Sequence, residues 1–412
     1  MGFEFTNQTI RALCERGFLY QFTSPESIDK LFNSDKSFSF YVGFDATAKS
    51  LHVGHLLWII AVNRLQRTGY RAIILTGGGT SKIGDPTWKD KQRVMLGSNE
   101  ISANIDSVMR KLRTLIDFAD SSANCAKLVN NDDWLSKIEY LPFLRDYGRF
   151  FSVNRMLSMD SISERLKRRQ HLSFLEFNYM LLQAYDFLHL FNTENCVVQI
   201  GGADQWANII FGVELIKKVY DKEAYGMTLN LLTTSTGAKM GKTESGTVWL
   251  DEEMTSPFDF WQYFRNVDDR DVCKLLKLFT DIELSEIDSY GAMIGTPSIN
   301  EAKIKLADNI TSFVHGKDCI ASIKATVNNL FGNGSENQPY DIEEFRFQSS
   351  VQLDRAVFET GLAPSMSMSR KLIEGRGVKV DGSIVDSIKY RITASCVLSV
   401  GKKNFVKIAV EE

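Results

Sequence analysis

Short apolar segments rich in β-branched and aromatic residues alternate with helical patterns in the first half of the chain, and this alternation constrains the fold most. Residues 38–44 and 71–76 have the composition of buried strands, and residues 56–68 between them that of a helix. Residues 174–191 and 196–200 repeat the helix and strand patterns. Short strands joined by helical crossovers form parallel sheets. The sequence therefore predicts an α/β fold with a doubly wound parallel sheet.

The remaining chain divides by composition into further segments. Residues 87–171 are mostly helical and charged in pattern, which predicts an insertion within a sheet domain spanning 1–235. Residues 236–331 are predicted to form a helical domain. Residues 332–350 begin with a run of glycine, asparagine, serine and proline, which is typical of a linker. A small domain over residues 351–412 then holds 10 Lys+Arg against 7 Asp+Glu, a basic balance that suits a polyanionic partner.

The composition excludes several classes of protein. Hydrophobic residues make up 44% and charged residues 24% of the 412, which is typical of a soluble globular chain and not of a disordered one. The longest apolar run, residues 56–62, is too short to span a bilayer, and the N-terminus has no signal-like apolar stretch. Six scattered cysteines without paired spacing predict reduced thiols in a cytoplasmic protein.

Two histidines follow the first predicted strand at the start of the next helix. The segment 45–55 ends in His52, Val53, Gly54 and His55. The unpaired N–H groups of a helix start attract phosphate, and a glycine there lets a nucleotide approach the backbone. The two imidazoles could donate hydrogen bonds to phosphoryl oxygens; as alternatives, they are a chance pair or half of a metal site.

A second candidate element is a loop with two lysines. Lys239 and Lys242 flank Gly241 in a stretch rich in glycine and threonine. A flexible loop with two ammonium groups could close on a polyphosphate. Such a loop is also compatible with an ordinary solvated surface.

Polar side chains on one helix face and after one strand complete the candidate set. Tyr179, Gln183 and Asp186 have the spacing of a single helix face within an apolar helix, so they face either water or a polar ligand. Asp204 and Gln205 follow a predicted strand, where an open sheet binds ligands. Alternatively, Asp204 caps the next helix.

Three consecutive glycines follow the strand 71–76. Gly77, Gly78 and Gly79 lack the Gly-Lys-Ser/Thr spacing of a P-loop, because the next glycine, Gly84, precedes Asp85. We expect them to let a substrate approach the end of the strand closely.

Taken in order, these segments resemble the bacterial-type tyrosyl-tRNA synthetases, a family of class I aminoacyl-tRNA synthetases. Residues 41–55 resemble the family's HIGH signature segment, and residues 239–243 its KMSKS loop, with Gly241 and Thr243 at the two serine positions. Residues 83–86 and 201–206 also resemble family segments, and the resemblance covers nearly the whole chain. It implies a Rossmann-like sheet with a helical insertion, a helical domain and a small α+β RNA-binding C-terminal domain.

The resemblance also implies roles for individual residues in activating tyrosine. Tyr41 and Asp186 would hold the phenolic hydroxyl. Asp85, Tyr179 and Gln183 would bind the α-ammonium group, and Gln205 would orient the carboxylate. These residues would explain why the family selects tyrosine, since a substrate without the hydroxyl would leave buried polar groups unpaired.

For ATP, the resemblance implies a second set of residues. Those lying against the nucleotide would be Gly43, Asp45, Gly54, His55, Gly202, Asp204 and Lys242. Those stabilising the charge on the departing pyrophosphate would be Thr47, His52, His55, Lys239 and Lys242, with Lys89 and Arg93 on a closing loop. Mg²⁺ would arrive with ATP and be held mainly by phosphates and water. No tightly bound cofactor is expected.

The C-terminal residues resemble a small RNA-binding module, and the family resemblance also implies a homodimer. Arg370, Lys371, Arg376 and Lys379 would contact the phosphates of tRNA(Tyr); alternatively, the module is an inert basic cap. The rival function is a synthetase-like RNA-binding or regulatory factor that has lost activation. Retention of the histidines, the lysines and the tyrosine-pocket residues argues against that rival.

Overall fold

The computed structural model describes residues 3–86, 96–119, 124–243, 246–331, 344–401 and 404–410. The chain forms two compact units. Unit 1 contains Met1–Thr255 and Phe260–Val314, and unit 2 contains Ser256–Asp259 and His315–Glu412. All six cysteines lie within the described ranges, and none of them forms a disulfide.

A six-stranded sheet forms the centre of unit 1, with the strand order β1-β6-β5-β2-β3-β4. Its strands are β1 (Leu19–Phe22), β2 (Ser39–Phe44), β3 (Arg71–Thr76), β4 (Lys127–Asn130), β5 (Cys196–Gly202) and β6 (Tyr225–Leu229). The pairs from β6 to β4 are parallel, and only β1 runs antiparallel, against β6. The predicted α/β fold is therefore confirmed, with one antiparallel edge strand that the sequence did not predict.

Helices cover this sheet and follow it along the chain. They are α1 (Gln8–Glu15), α2 (Pro25–Phe32), α3 (Leu56–Arg67), α4 (Ser98–Leu115), α5 (Asp132–Leu135), α6 (Tyr140–Asp146), α7 (Val153–Ser158), α8 (Asp160–Lys167), α9 (Phe174–Phe177), α10 (Tyr179–Glu194) and α11 (Trp206–Tyr220). After the two-stranded ladder β7 (Lys242–Thr243) and β8 (Gly246–Thr247) come α12 (Pro257–Arg265), α13 (Asp269–Phe279), α14 (Leu284–Gly291) and α15 (Ile299–His315). Among the described residues, no helix is both long and apolar enough to cross a membrane.

The winding direction of the sheet changes between β2 and β5. The chain passes from β2 through α3 to β3 on one side, and from β5 through α11 to β6 on the other. Buried apolar residues pack the helices on the sheet, including Tyr41 on β2, Phe187 on α10 and Phe211 on α11. Where the connections from two adjacent parallel strands run to opposite sides, a crevice forms at the carboxyl ends of those strands.

Two details within unit 1 differ from the sequence predictions. The predicted helical insertion contains β4, a short strand paired with β3. The helix predicted over residues 174–191 is two helices, because α9 is a separate turn that begins with a capping box between Ser173 and Glu176. Asn178 then separates α9 from α10.

Unit 2 contains a small α+β fold after α16 (Asp318–Phe331). Its elements are β9 (Glu344–Phe347), β10 (Val351–Gln352), α17 (Leu353–Glu359), α18 (Met366–Glu374), β11 (Val378–Val380), β12 (Ser383–Ile384), β13 (Arg391–Ile392), β14 (Cys396–Val400) and β15 (Asn404–Val410). Five strands pair in the order β12-β11-β14-β15-β9. Asp381 and Gly382, both with positive φ, turn β11 into β12, as the favoured two-residue hairpins require. The small α+β C-terminal domain that the resemblance implies is confirmed.

Candidate active site

A cavity of about 230 Å³ opens at the carboxyl ends of β2 and β5, where the winding of the sheet changes. Residues of β2, α3, α10 and β5 form its wall, together with residues that follow β3 and β5. The lining residues are Tyr41, Val42, Gly43, Phe44, Asp45, His55, Trp58, Leu75, Thr80, Asp85, Tyr179, Gln183, Asp186, Gln199, Ile200, Gly201, Gly202, Asp204, Gln205 and Lys239.

The cavity brings together most of the site residues predicted from the sequence. Those that line it are Tyr41, Gly43, Asp45, His55, Asp85, Tyr179, Gln183, Asp186, Gly202, Asp204, Gln205 and Lys239. Thr47, His52 and Gly54 lie in the same segment as His55 but are not part of the lining. The backbone of Lys242 belongs to β7, whereas Lys89 and Arg93 lie outside the described residues.

The deep end of the cavity holds two buried groups that can recognise a hydroxyl. Tyr41 on β2 is 2% exposed, and its hydroxyl has no hydrogen-bond partner among the residues that the structure describes. Asp186 on α10 is also 2% exposed. Burial raises the pKa of Asp186 to about 7, although hydrogen bonds from Asn131 and Trp134 oppose that shift. Burial, with the nearby Asp186, also raises the pKa of Tyr41, which is therefore a neutral phenol.

Asn131 and Trp134 hold the Asp186 carboxylate, and the sequence did not identify either of them. Asn131 Nδ2 donates to Asp186 Oδ2 at 2.9 Å, and Trp134 Nε1 donates to Oδ1 at 2.7 Å. The fully buried Asn131 also accepts from the Gly79 N–H at 2.8 Å. These donors fix the carboxylate while each oxygen keeps a free lone pair. The available signal was a polar run directly after a short strand, but β4 itself was not predicted.

The polar wall of the cavity is connected by hydrogen bonds. Gln205 Nε2 donates to Asp85 Oδ2 at 2.7 Å. The Tyr179 hydroxyl lies 3.4 Å from Asp45 Oδ2. Tyr179, Gln183 and Asp186 all line the cavity, so this helix face points into the cavity; that it binds a ligand stays a prediction.

The two histidines form a capped 3₁₀ turn at the start of α3. His52 Nδ1 accepts from the Gly54 N–H, and His55 Nδ1 accepts from the His52 N–H, each at 3.0 Å. Because each Nδ1 accepts a hydrogen bond, a neutral ring carries its proton on Nε2. Burial and the neighbouring His52 lower the pKa of His55 to about 3. His55 therefore faces the cavity as a neutral hydrogen-bond donor and not as a cation.

The loop that carries the lysines packs on this histidine turn. Val53 N donates to Val248 O at 3.0 Å, and Leu250 N donates to Leu51 O at 2.8 Å. Gly241 has a φ of +87°, and a Cβ built on it would lie 3.2 Å from Gly54 N. Both the left-handed backbone and the close contact favour glycine at position 241.

The space beside several glycines is filled by protein side chains. A Cβ on Gly54 would lie 2.7 Å from His52 Cε1, so this glycine accommodates the histidine ring. A Cβ on Gly77 would lie 2.6 Å from Asp45 Oδ1, and one on Gly78 would lie 2.3 Å from Asn130 Oδ1. The expectation that Gly77 and Gly78 leave room for substrate was therefore wrong, because Asp45 and Asn130 occupy that room.

Opposite charges meet where the cavity opens. Burial and the nearby Asp85 raise the pKa of Asp204, whereas Lys239 acts in the opposite direction. Lys239 is exposed and lines the cavity. Among the described residues, no group of three or more His, Cys, Asp or Glu side chains is arranged to hold a metal ion.

The four basic residues predicted in the C-terminal domain are all exposed within unit 2. Two of them form ion pairs with acidic side chains. Arg370 Nε lies 2.9 Å from Asp354 Oδ2, and Arg376 Nε lies 3.2 Å from Asp386 Oδ2. Lys371 lies on α18 and Lys379 on β11.

Comparison with known proteins identifies relatives over almost the full length. The model of the tRNA synthetases class I (W and Y) family matches residues 33–332, and that of the S4 domain matches residues 351–396. A tyrosine–tRNA ligase of Wolbachia sp. subsp. Drosophila simulans (strain wRi) is 46% identical, covering 96% of this chain and 97% of that protein. A tyrosine–tRNA ligase of Pelagibacter ubique (strain HTCC1062) is 44% identical, covering 98% and 99%.

A solved structure agrees with these relatives. The C-terminally truncated mitochondrial tyrosyl-tRNA synthetase of Aspergillus nidulans superposes with a TM-score of 0.69 and 31% identity. The match covers 78% of this chain and 94% of that chain.

Proposed function

Because the chain belongs to the tyrosine–tRNA ligases of the class I (W and Y) tRNA synthetase family, we propose that its cavity activates L-tyrosine with ATP for transfer to tRNA(Tyr). The observation that carries this assignment is the pair of buried groups at the deep end. Tyr41 has a buried hydroxyl that no described residue contacts by a hydrogen bond, and the Asp186 carboxylate is held by two donors. A phenolic hydroxyl would donate to Asp186 and accept from Tyr41, so both buried groups would be satisfied.

The remaining polar groups of the wall suit the backbone of an amino acid. Asp85, Tyr179 and Gln183 offer a carboxylate, a phenol and an amide oxygen to the three N–H bonds of the α-ammonium group. Gln205 offers an amide N–H to the carboxylate. With both ends of tyrosine held, its carboxylate points towards the histidine turn, where ATP would bind.

The nucleotide would occupy the mouth of the cavity. Gly43, Asp45 and Gly202 would lie against adenosine, and Asp204 would accept hydrogen bonds from the ribose hydroxyls. Gly54 contributes by admitting the His52 ring, and His55 would donate its Nε2–H to phosphate. Further contacts with the phosphates are assigned to Thr47, Lys239, Lys242, Lys89 and Arg93.

The reaction needs no nucleophile from the protein. A tyrosine carboxylate oxygen attacks the α-phosphorus of MgATP. The bond between this phosphorus and the oxygen that bridges the α- and β-phosphates breaks, so pyrophosphate departs with the electron pair. A terminal ribose hydroxyl of the tRNA then attacks the tyrosyl carbonyl and releases AMP. The protein aligns the reactants and stabilises the growing charge with the neutral His55 donor and the lysines. Mg²⁺ accompanies ATP as part of the substrate.

The C-terminal domain is assigned to tRNA binding. Lys371 and Lys379 are exposed and available to phosphates. Arg370 and Arg376 would exchange their carboxylate partners for phosphate, which makes binding sensitive to salt. Replacing Lys371 and Lys379 together should weaken tRNA binding most at low salt and reduce the salt slope by about 2, so that the variant and the wild type converge at high salt.

A homodimer in the cytoplasm completes the proposal. Large apolar side chains are exposed over α6, α7 and α9, namely Tyr140 (60%), Leu141 (75%), Val153 (57%) and Phe174 (67%). A second copy of the chain would cover them. In sedimentation equilibrium the wild type should be a dimer, and Phe174→Glu should shift it towards monomer. The six thiols without disulfides suit a cytoplasmic enzyme.

Tyrosine-dependent exchange of pyrophosphate into ATP tests the proposed function. We expect exchange with tyrosine and very little with phenylalanine, whose ring would leave the Tyr41 hydroxyl without a partner and would offer no hydrogen bond to Asp186. Binding of tRNA without exchange would support the rival function, an RNA-binding or regulatory factor.

A further inference from the structure

Asn208 is a buried amide just outside the cavity that contacts two residues of its wall. It lies in the first turn of α11 and is 5% exposed. Its Nδ2 donates to Gln183 Oε1 at 3.1 Å and to Gln205 Oε1 at 3.0 Å. Both glutamines line the cavity, whereas Asn208 does not. Any influence of Asn208 on a ligand therefore passes through the glutamines.

The positions of the three residues follow from the local structure. Asn208 follows Gln205 by three residues, so their side chains lie on the same face of the helical turn. Gln183 lies on α10, which packs against α11. A single NH₂ group thus joins two helices at the wall of the cavity.

The chemistry of the amide fixes which end of each glutamine faces Asn208. An amide nitrogen donates two hydrogen bonds and accepts none, so both glutamines present their oxygens to it. For Gln205 this directs Nε2 towards Asp85, whose Oδ2 it contacts at 2.7 Å. One N–H of Gln205 then remains to donate to a ligand, and Gln183 Oε1 keeps a lone pair to accept from one.

We propose that Asn208 is a positioning residue that allows the site to recognise the α-ammonium and carboxylate groups of the amino acid. It holds Gln183 as an acceptor for the α-ammonium group and Gln205 as a donor for the carboxylate. The inference rests on the proposed function, because it requires tyrosine to bind in this cavity. Without Asn208, either amide can rotate and present the wrong atom.

Two substitutions separate this role from simple packing. Asn208→Ala removes the donor and releases both glutamines. Asn208→Asp keeps the shape but inverts the chemistry, because a carboxylate only accepts. Both glutamines would then turn their nitrogens to it and direct their oxygens towards Asp85 and the ligand. Asn309→Ala, which replaces an exposed asparagine of α15, is the matched control.

The test compares the KM for tyrosine in pyrophosphate exchange with the inhibition constant of 4-ethylphenol, which lacks the ammonium and carboxylate groups. For Asn208→Ala we expect the KM for tyrosine to rise about tenfold, equivalent to about 1.4 kcal/mol. Asn208→Asp should raise it at least as much. The KM for ATP and the inhibition constant of 4-ethylphenol should stay within about twofold of wild type, and Asn309→Ala should change nothing.

The outcomes distinguish this inference from the proposed function. If the wild type shows no tyrosine-dependent exchange, the proposed function fails. If the wild type exchanges and both Asn208 variants match it, the positioning role is refuted. An equal loss of affinity for tyrosine and 4-ethylphenol would also refute it, since that pattern indicates general disruption of the pocket. Should Asn208→Ala fail to fold, the isosteric Asn208→Asp provides the same comparison.

Discussion

The proposed amino-acid end of the cavity and its proposed phosphate end differ in how their polar groups are held. At the amino-acid end, Asp186 and Gln205 already have hydrogen-bond partners within the protein. At the phosphate end, Lys239 is exposed on a loop that contains the left-handed Gly241. The difference indicates a division of labour. Selecting one side chain requires fixed partners, whereas stabilising a moving phosphate group requires cations that can follow it.

Asp186→Ala should produce the largest effect, because it removes the buried carboxylate that is proposed to bind the substrate hydroxyl. The substrate hydroxyl would lose its acceptor, and the Asn131 and Trp134 donors would be left unpaired. Each unsatisfied buried group costs about 1–3 kcal/mol. We expect kcat/KM for tyrosine to fall at least about 100-fold, with a lower melting temperature. Asp106→Ala, which replaces an exposed aspartate within α4, is the control, and a loss below about fivefold would contradict the fixed-partner account.

Lys239→Ala should produce the next largest effect, at the opposite end. Removing a cation that stabilises the departing pyrophosphate should lower kcat for exchange by about 100-fold. The KM for tyrosine should stay within about twofold, because the lysine is assigned to the phosphates and not to the amino acid. Lys242→Ala is expected to behave in the same way. A large rise in the KM for tyrosine with unchanged kcat would show that the two ends are not separate.

The pH dependence of tyrosine binding follows from Asp186. Burial raises the pKa of its carboxyl to about 7, and only the ionised form accepts hydrogen bonds from Asn131, Trp134 and the substrate together. We expect kcat/KM for tyrosine to decrease about tenfold for each pH unit below 7. The neutral His55, whose pKa is about 3, should add no step between pH 5 and 8. A profile that is flat from pH 5.5 to 8 would contradict this assignment.

The same carboxyl predicts a change of stability with pH. The folded pKa of about 7 lies above the usual value of 3.8, so the folded protein binds more protons between these two values. The contribution of Asp186 to stability is therefore complete below about pH 4 and is lost as the pH rises through 7. Comparing urea unfolding of the wild type and Asp186→Asn at pH 5 and pH 8 measures it. The destabilisation between these pH values should be smaller in the variant.

Much of the fold and of the candidate site could be predicted from the sequence. The strand Ser39–Phe44, the histidine turn and the α10 face carry strong local patterns, and the cavity gathers their polar residues. The functions of Gly77 and Gly78 could not be predicted, because a glycine indicates that space is needed but not what fills it. Here the side chains of Asp45 and Asn130 fill it.

The residues that hold the cavity-lining side chains in place could not be predicted from sequence patterns. Asn131 and Trp134 follow β4, whose four-residue sequence Lys-Leu-Val-Asn lacks the apolar/polar alternation of a strand. Its position is set by pairing with β3, which is a long-range interaction. Asn208 lies within an apolar helix, and its acceptors are three residues away and on another helix. Only the folded arrangement reveals these partners.

Gly241 provides the finest test of how the lysine loop meets the histidine turn, and Gly237 in the same loop is its control. Gly237 has a φ of +83°, and no described atom lies within 4 Å of a Cβ built on it, whereas at Gly241 such a Cβ lies 3.2 Å from Gly54 N. An alanine at either position incurs the left-handed backbone cost of roughly 1–2 kcal/mol. Only Gly241→Ala would also push the loop away from the histidines.

Because the backbone cost is shared, the difference between the two alanine variants isolates this contact. We expect Gly241→Ala to lower kcat for exchange roughly fivefold more than Gly237→Ala, since the loop must be docked for its lysines to reach phosphate. The KM for tyrosine should remain unchanged in both variants. Equal values of kcat would mean that the packing of Gly241 on Gly54 does not contribute to activation. The lysine loop could then move away from the histidine turn without loss of activity.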